Sequence, residues 1–470
     1  MGNAAGCVGR VNPVFGGEAL VSPDKPAKAS VRRRSIDVRC LVSAAKATHF
    51  RASKAQAGES GECLLFLESV RHPRCQVSVV ARAVPRQEGG RDSDDSPRVG
   101  AGAVSELRWP ARTCLGASSW FSGQPLRVTV EERGAYDLHL ELHNPLGPLG
   151  GVCLRLADTP LHRPVSEVVQ PSSPRRVHSG RSATNAIAES FSLSFQLVDS
   201  RLVSHRKTVV FVRHAQSIWN EAQSKKNVYK MAKDTDHALS ATGVQQAEAL
   251  SRLLSNAAAD PADAEQVGCI LQPDVVYVSP LTRAVQSAVI GLGPTLVQPG
   301  GPAQMTFMSN AREKLNLGGF DTRSRKVGVN ILHHVLGKLR AHYREKGDEI
   351  IDVFSKLHFN LQQVEEQWWT EGSAETKEQV QARMREFMTQ LLYSPDHNIV
   401  VVGHSHFFRA VLAGYMSEEF REQDPEFAKK LASAKLANCG VLRLELDPAR
   451  GVDGGPIVDA KFLLGSGFDL

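Results

Sequence analysis

An arginine and a histidine, Arg213-His214, close a run of five strand-forming residues, Thr208 to Val212. A second run, Asp274–Val278, ends in Ser279-Pro280-Leu281-Thr282-Arg283. A third, Asn398–Val402, ends in Gly403-His404-Ser405-His406. Short apolar runs without polar alternation suit strands buried on both faces of a parallel sheet. Ligands of such sheets bind just beyond the carboxyl ends of the strands. Arg213, His214, Arg283 and His404 are therefore expected at one edge of one sheet. Guanidinium forks match phosphate oxygens, and a neutral imidazole can attack phosphorus where a protonated one cannot. The expectation is a phosphate pocket with His214 as nucleophile, forming a phosphohistidine. Arg213 and Arg283 hold the equatorial oxygens, and His404 donates to the phosphoryl group. These side chains supply the positive charge that a metal often gives elsewhere, so the chemistry calls for no metal and no cofactor.

Four segments carry a family resemblance. Thr208–Asn220 (TVVFVRHAQSIWN) resembles the Arg-His-Gly signature of the histidine phosphatase superfamily, the phosphoglycerate-mutase-like fold. Asp236–Leu250 resembles its Leu-Ser-x-x-Gly-x-x-Gln-Ala segment, Ser279–Ala288 its second arginine motif, and Val402–Ala410 its second histidine motif. The order is the family's, over roughly Lys207–Leu446, about half of the chain. The resemblance implies a three-layer α/β/α sandwich around a mostly parallel sheet. It also implies that Glu313 is the general acid, with Arg312 and Asp321 in reserve, and that Asn220 and Ser217 contact the substrate by motif position. A carboxyl beside a dianionic phosphate is expected to have a raised pKa. His406 is expected to support the pocket structurally. Ala215 stands where the family usually has Gly, which is tolerable unless that position needs positive φ.

The mutases of this family carry a His-Tyr-Gly run after the acid. This chain has Lys314-Leu315-Asn316-Leu317, which favours a hydrolase: a metal-independent phosphomonoesterase. A phosphoglycerate-mutase-type phosphotransferase and an inactive scaffold binding phosphorylated ligands are the alternatives. The partner expected is a phosphorylated small molecule or a phosphoprotein.

Charge is unevenly placed. The first 60 residues hold ten Lys or Arg and four Asp or Glu, so the net +6 of the chain lies wholly there. The catalytic half is balanced, and nucleic acid is not an expected partner. Met1-Gly2 with Cys7 suggests myristate and palmitate on Gly2 and Cys7, although Gly6 stands where Ser or Thr is usual. With Arg32, Arg33 and Arg34, residues 1–40 would then meet an anionic membrane, where phosphorylation of Ser35 would weaken the contact. The Ala-, Ser- and Arg-rich composition equally fits an organelle transit peptide, and a plain tail is the third reading. The eight cysteines form no CxxC pair, and no apolar run reaches membrane length. A reducing, cytoplasmic setting follows as the expectation.

Residues 61–158 read as a small antiparallel β-sandwich-like domain, with Leu126–Glu132 and Tyr136–Leu142 joined as a hairpin through Arg133-Gly134-Ala135. Asp92, Asp94 and Asp95 fit a solvated loop better than a calcium site. Residues 159–200 read as linker and lead-in, and 201–470 as the phosphatase domain. Within it, helices are expected over Val244–Leu254, Ala284–Ile290, Val329–Ala341, Glu349–Trp369 and Glu375–Leu392. Trp368-Trp369 are expected to close a helical core and not to line the pocket.

Overall fold

A computed structural model describes eight strands between residues 61 and 199. It then describes residues 206–469 apart from 316–319, 345–346, 371, 373 and 395. Gly2, Cys7, Ser35, the arginines at 32–34 and the aspartates at 92–95 lie outside the described residues.

The strands of the first region are β1 (Gly61–Arg71), β2 (Gln76–Pro85), β3 (Leu107–Thr113), β4 (Leu126–Val130), β5 (Tyr136–Asn144), β6 (Gly147–Arg155), β7 (Pro164–Pro171) and β8 (Phe191–Asp199). They pair antiparallel in the order β3-β2-β5-β6-β7-β8-β1-β4. Two features differ from the sequence reading. β4 pairs with β1, and β5 with β2 and β6, so these two strands do not pair with each other as the expected hairpin. The stretch read as linker and lead-in supplies β7 and β8, which bridge β6 to β1. Its Pro and Arg content hid short alternating runs such as Phe191–Val198.

The second sheet has seven strands: β9 (Lys207–Arg213), β10 (Val275–Val278), β11 (Gln304–Phe307), β12 (His358–Asn360), β13 (Asn398–Gly403), β14 (Val441–Leu446) and β15 (Ile457–Leu463). Their order is β12-β11-β10-β13-β9-β14-β15. The first five run parallel, and β14 and β15 close the edge antiparallel. The fold is the expected phosphoglycerate-mutase-like α/β/α type. β9, β13 and β10 are adjacent, and their registers align Arg213 with Gly403 and Val402 with both Val212 and Val278. His214, His404 and Ser279 therefore leave the sheet side by side.

Both faces of these strands are covered. Val209, Phe211, Ile399 and Val401 join one core with Phe387, Phe407 and Phe408. The alternate residues Val210, Val212, Val400 and Val402 are buried as well. Phe211 stacks on Phe408, rings 4.2 Å apart and 8° from parallel, which fixes the helix Ser405–Tyr415 against β9. The helix Thr282–Gly291 is buried at every position. The helix expected over Glu349–Trp369 stops at Lys356. Leu357 turns extended, and His358–Asn360 adds to the sheet edge beside Gln304–Thr306. A backbone pairing available only in the folded chain thus overrides local helical spacing.

Candidate active site

His214 is oriented by the chain around it. His214 lies one residue past β9, and its N–H donates to Gly403 O at 3.0 Å, tying it to the end of β13. Its Nδ1 lies 2.6 Å from Ala215 O, a contact that places the ring proton on Nδ1. Nε2 then carries the lone pair, which accepts from Arg283 Nε at 3.3 Å. Burial pushes the His214 pKa well down, and Arg283 and Arg213 push it further. The imidazole is thereby kept neutral, the form that attacks phosphorus. Ala215 is buried, its N–H donating to Ser287 Oγ at 2.9 Å. It is not among the residues with positive φ, so its methyl group causes no backbone strain there.

His404 follows β13 with no exposed surface, its ring centroid 4.9 Å from that of His214. Its Nε2 lies 2.7 Å from Ser279 Oγ, one residue past β10. Ser279 Oγ accepts from Leu281 N–H at 3.4 Å, which leaves its hydroxyl proton for His404 Nε2. His404 Nδ1 is then the protonated nitrogen, and it is buried without a partner among the described residues. Burial and the nearby arginines, Arg283 first, push the His404 pKa well down. Sequence reasoning missed Ser279. The only signal was a polar residue at the carboxyl end of a buried strand.

The two arginines arrive from opposite sides. Arg283, 1 % exposed, opens its helix and reaches Asp321, donating from Nη1 to Asp321 O at 2.6 Å, with Nη2 3.4 Å from Asp321 Oδ2. Arg213 Nη1 donates to Leu436 O and, at 2.9 Å, to Asp469 Oδ2. Arg213 Nε is buried with no partner among the described residues. Two buried donors, Arg213 Nε, next to His214 in the chain, and His404 Nδ1, on the ring 4.9 Å from that of His214, are thus unused among the described residues.

Glu313 is buried. Its Oε1 accepts from Lys314 N–H at 2.9 Å, and its Oε2 accepts from His406 N–H at 3.3 Å. His406 Nδ1 lies 3.4 Å from the same oxygen. Burial pushes the carboxyl up, but His406, Lys314 N–H and Arg283 outweigh it and hold the Glu313 pKa below the usual value. Without a bound phosphate, the raised pKa expected from sequence is therefore not found. Asp321 differs: burial raises its pKa against the pull of Arg283, and Glu313 adds to the rise. Arg312 faces away from acid chemistry, bonded to Thr370 and Glu375 at 2.9 Å, with burial lowering its pKa to about 9.

Ser217 and Asn220 have a local structural use. Ser217 caps the helix Ile218–Ser224, its Oγ accepting from Asn220 N–H, while Asn220 Oδ1 accepts from Ser217 N–H at 3.1 Å and from its hydroxyl at 2.9 Å. This reciprocal box shapes the loop after His214. The two tryptophans also part company. Trp368 is buried, donating from Nε1 to Lys326 O at 2.9 Å. Trp369 lines a cavity of about 300 Å³ beside Glu313.

Residues 209–298 and 343–452 match the model of the histidine phosphatase superfamily, branch 1. The C-terminal part of the chain is similar to that superfamily over these residues. A phosphoglycerate mutase-like protein from Arabidopsis thaliana is 26 % identical over 245 residues, covering 50 % of this chain and 83 % of the relative. The solved phosphoglycerate mutase of Bacillus anthracis str. Sterne superposes with a TM-score of 0.30 at 15 % identity, over 56 % of this chain and 95 % of the other. A solved multidomain fragment of extended-synaptotagmin 2 gives a TM-score of 0.19 at 16 % identity. That match spans 30 % of this chain and only a quarter of the other. The match to the superfamily supports phosphoryl chemistry of the phosphatase or mutase type.

Proposed function

We propose that the protein is a metal-independent phosphomonoesterase working through a phosphohistidine. His214 Nε2 attacks phosphorus, the bond from phosphorus to the ester oxygen breaks, and Glu313 gives the leaving oxygen its proton. Water then attacks the phosphohistidine, its proton passes to the Glu313 carboxylate, and the P–N bond breaks to release phosphate. The observation that carries this reading is a neutral imidazole whose Nε2 holds a lone pair, with two buried donors unused among the described residues, Nε of the adjacent Arg213 and Nδ1 of the neighbouring His404 ring. Buried donors without partners are costly, and a phosphoryl group would satisfy both while drawing Arg283 Nε from nitrogen to oxygen. Its dianion would also push the Glu313 carboxyl back up, toward the protonated form an acid needs. Lys314-Leu315-Asn316 after Glu313, in place of a His-Tyr-Gly run, favours water over a phosphoglycerate as acceptor.

The test is phosphate release from an aryl phosphate with EDTA present, comparing wild type with His214→Ala. The reading expects EDTA-resistant release that the variant loses. Release that survives the substitution, or phosphate exchange between phosphoglycerates faster than release, would contradict it.

A further inference from the structure

The first sheet carries a side-chain cluster that the reaction at His214 does not use. β5 alternates over Asp137-Leu138-His139-Leu140, and both leucines are buried. Asp137 and His139 therefore share the other face of the strand. β6 runs antiparallel beside it, with Cys153 directly across from His139. One ligand atom from each of Asp137, His139 and Cys153 lies within 4.8 Å of the other two. Cys153 Sγ is 3.2 Å from His139 Nε2. The aspartate and the histidine are half-buried, and the cysteine is exposed. β5 is an interior strand, paired with β2 on one side and β6 on the other, so the backbone holds the three positions together. A slip of one residue would turn Leu138 and Leu140 outward, which fixes the register of the cluster.

From this juxtaposition we infer that Asp137, His139 and Cys153 bind a zinc ion, with the fourth position on the exposed side left to water. Thiolate, imidazole and carboxylate are the side-chain ligands that zinc takes. Calcium and magnesium take oxygen ligands and would find a single carboxylate here. Around a tetrahedral zinc, a sulfur and a nitrogen ligand stand about 3.5 Å apart, close to the separation of Cys153 Sγ and His139 Nε2. Asp137 also has a partner within the fold and stands opposite Arg155 in the ladder. A carboxylate has two oxygens and roughly four lone-pair directions, so one partner does not exhaust it. A redox role for the thiol fits less well. Partial burial, and then Asp137, push its pKa up, whereas a reactive cysteine needs it lowered. Zinc displaces the thiol proton as it binds, and the ion then cross-links β5 to β6. It takes no part in the reaction at His214, which follows a strand of the other sheet.

The test uses the full chain, reduced, stripped of metal with EDTA and desalted. Zinc is titrated against a chromophoric chelator, and cobalt(II) serves as a spectroscopic stand-in, because a thiolate ligand gives it a charge-transfer band. Cys153→Ser is expected to bind one zinc fewer than wild type and to lose that band, while Cys269→Ser keeps both. Asp137→Asn should weaken binding by about tenfold or more and keep the band, since the thiolate remains. A further measurement needs no variant to fold: zinc should protect Cys153 of wild type from iodoacetamide, read at the Cys153 peptide by mass spectrometry. Protection at micromolar zinc that calcium does not give supports the site. Alkylation of Cys153 that zinc does not slow, a cobalt spectrum without the thiolate band, or zinc stoichiometry equal in wild type and Cys153→Ser overturns it.

Discussion

At the scale of the residue, the site depends on which nitrogen carries which proton. Ala215 O holds the proton of His214 on Nδ1, and Ser279, bonded to His404 Nε2, leaves the proton of His404 on Nδ1. Replacing Ser279 with Ala leaves His404 Nε2 buried and unpaired and frees the ring to change tautomer; kcat on an aryl phosphate should fall about tenfold. Glu313→Gln should cost about a hundredfold or more on an alkyl phosphate, which needs a proton on its leaving oxygen, and far less on a nitrophenyl phosphate, which does not. Equal losses on both would remove Glu313 from the acid role. Titration gives a third test. His214 and His404 are both pushed well below the ordinary histidine value of 6.5. The unfolded chain therefore binds protons that the folded chain refuses, so their share of stability is complete above pH 6.5 and shrinks as pH falls below it. Urea denaturation between about pH 7.5 and pH 5 should show that loss, and His404→Gln should reduce its slope.

At the scale of the element, three strand ends and two helix starts position the pocket. The helix Ala241–Ala259 shows how tightly. Its Gly243 lies so near Gln216 O, in the loop after His214, that an added Cβ would sit 1.9 Å from that oxygen. Gly243→Ala must push the loop or the helix aside, with an expected loss of about 1–3 kcal/mol in stability and a clear drop in kcat. Thermal melting and aryl phosphate kinetics would measure both. This close approach explains in physical terms why a glycine stands three residues after Ser240, the helix cap. The three parallel strands were legible because apolar runs ending in charged residues have few other uses. The edge strand at His358–Asn360 and the return of β14 and β15 were not, since their pairing depends on partners far away in sequence. The same limit hid β7 and β8 behind a proline-rich composition. The capping box of Ser217 and Asn220 was not legible for another reason: a capping box and a ligand contact ask for the same residue types.

At the scale of the molecule, the segment after β11 is tied to the helix Lys377–Tyr393 by a buried acid. Glu375 joins Arg312, Arg383 and Leu315 N–H, and Arg383 in turn reaches Asn310 O and Arg312 O. Removing that carboxylate strands two arginines, so Glu375→Ala should lower unfolding free energy by about 3–5 kcal/mol in denaturant titration. Nothing in composition pointed to Glu375, because its worth lies in which distant segments it meets. The Arg–His, Arg and His motifs were readable for the opposite reason, as each sits where a strand ends and the sheet itself brings them together. The central claim is that His214 attacks through Nε2, and trapping the intermediate tests it most directly. Wild type turning over a ³²P-labelled substrate would be quenched in alkaline detergent, digested, and the labelled peptide read by mass spectrometry and ³¹P NMR. The account predicts an alkali-stable, acid-labile phosphoramidate on Nε2 of His214, absent from His214→Ala. Label on Nδ1, on another residue, or on none during sustained phosphate release would contradict it.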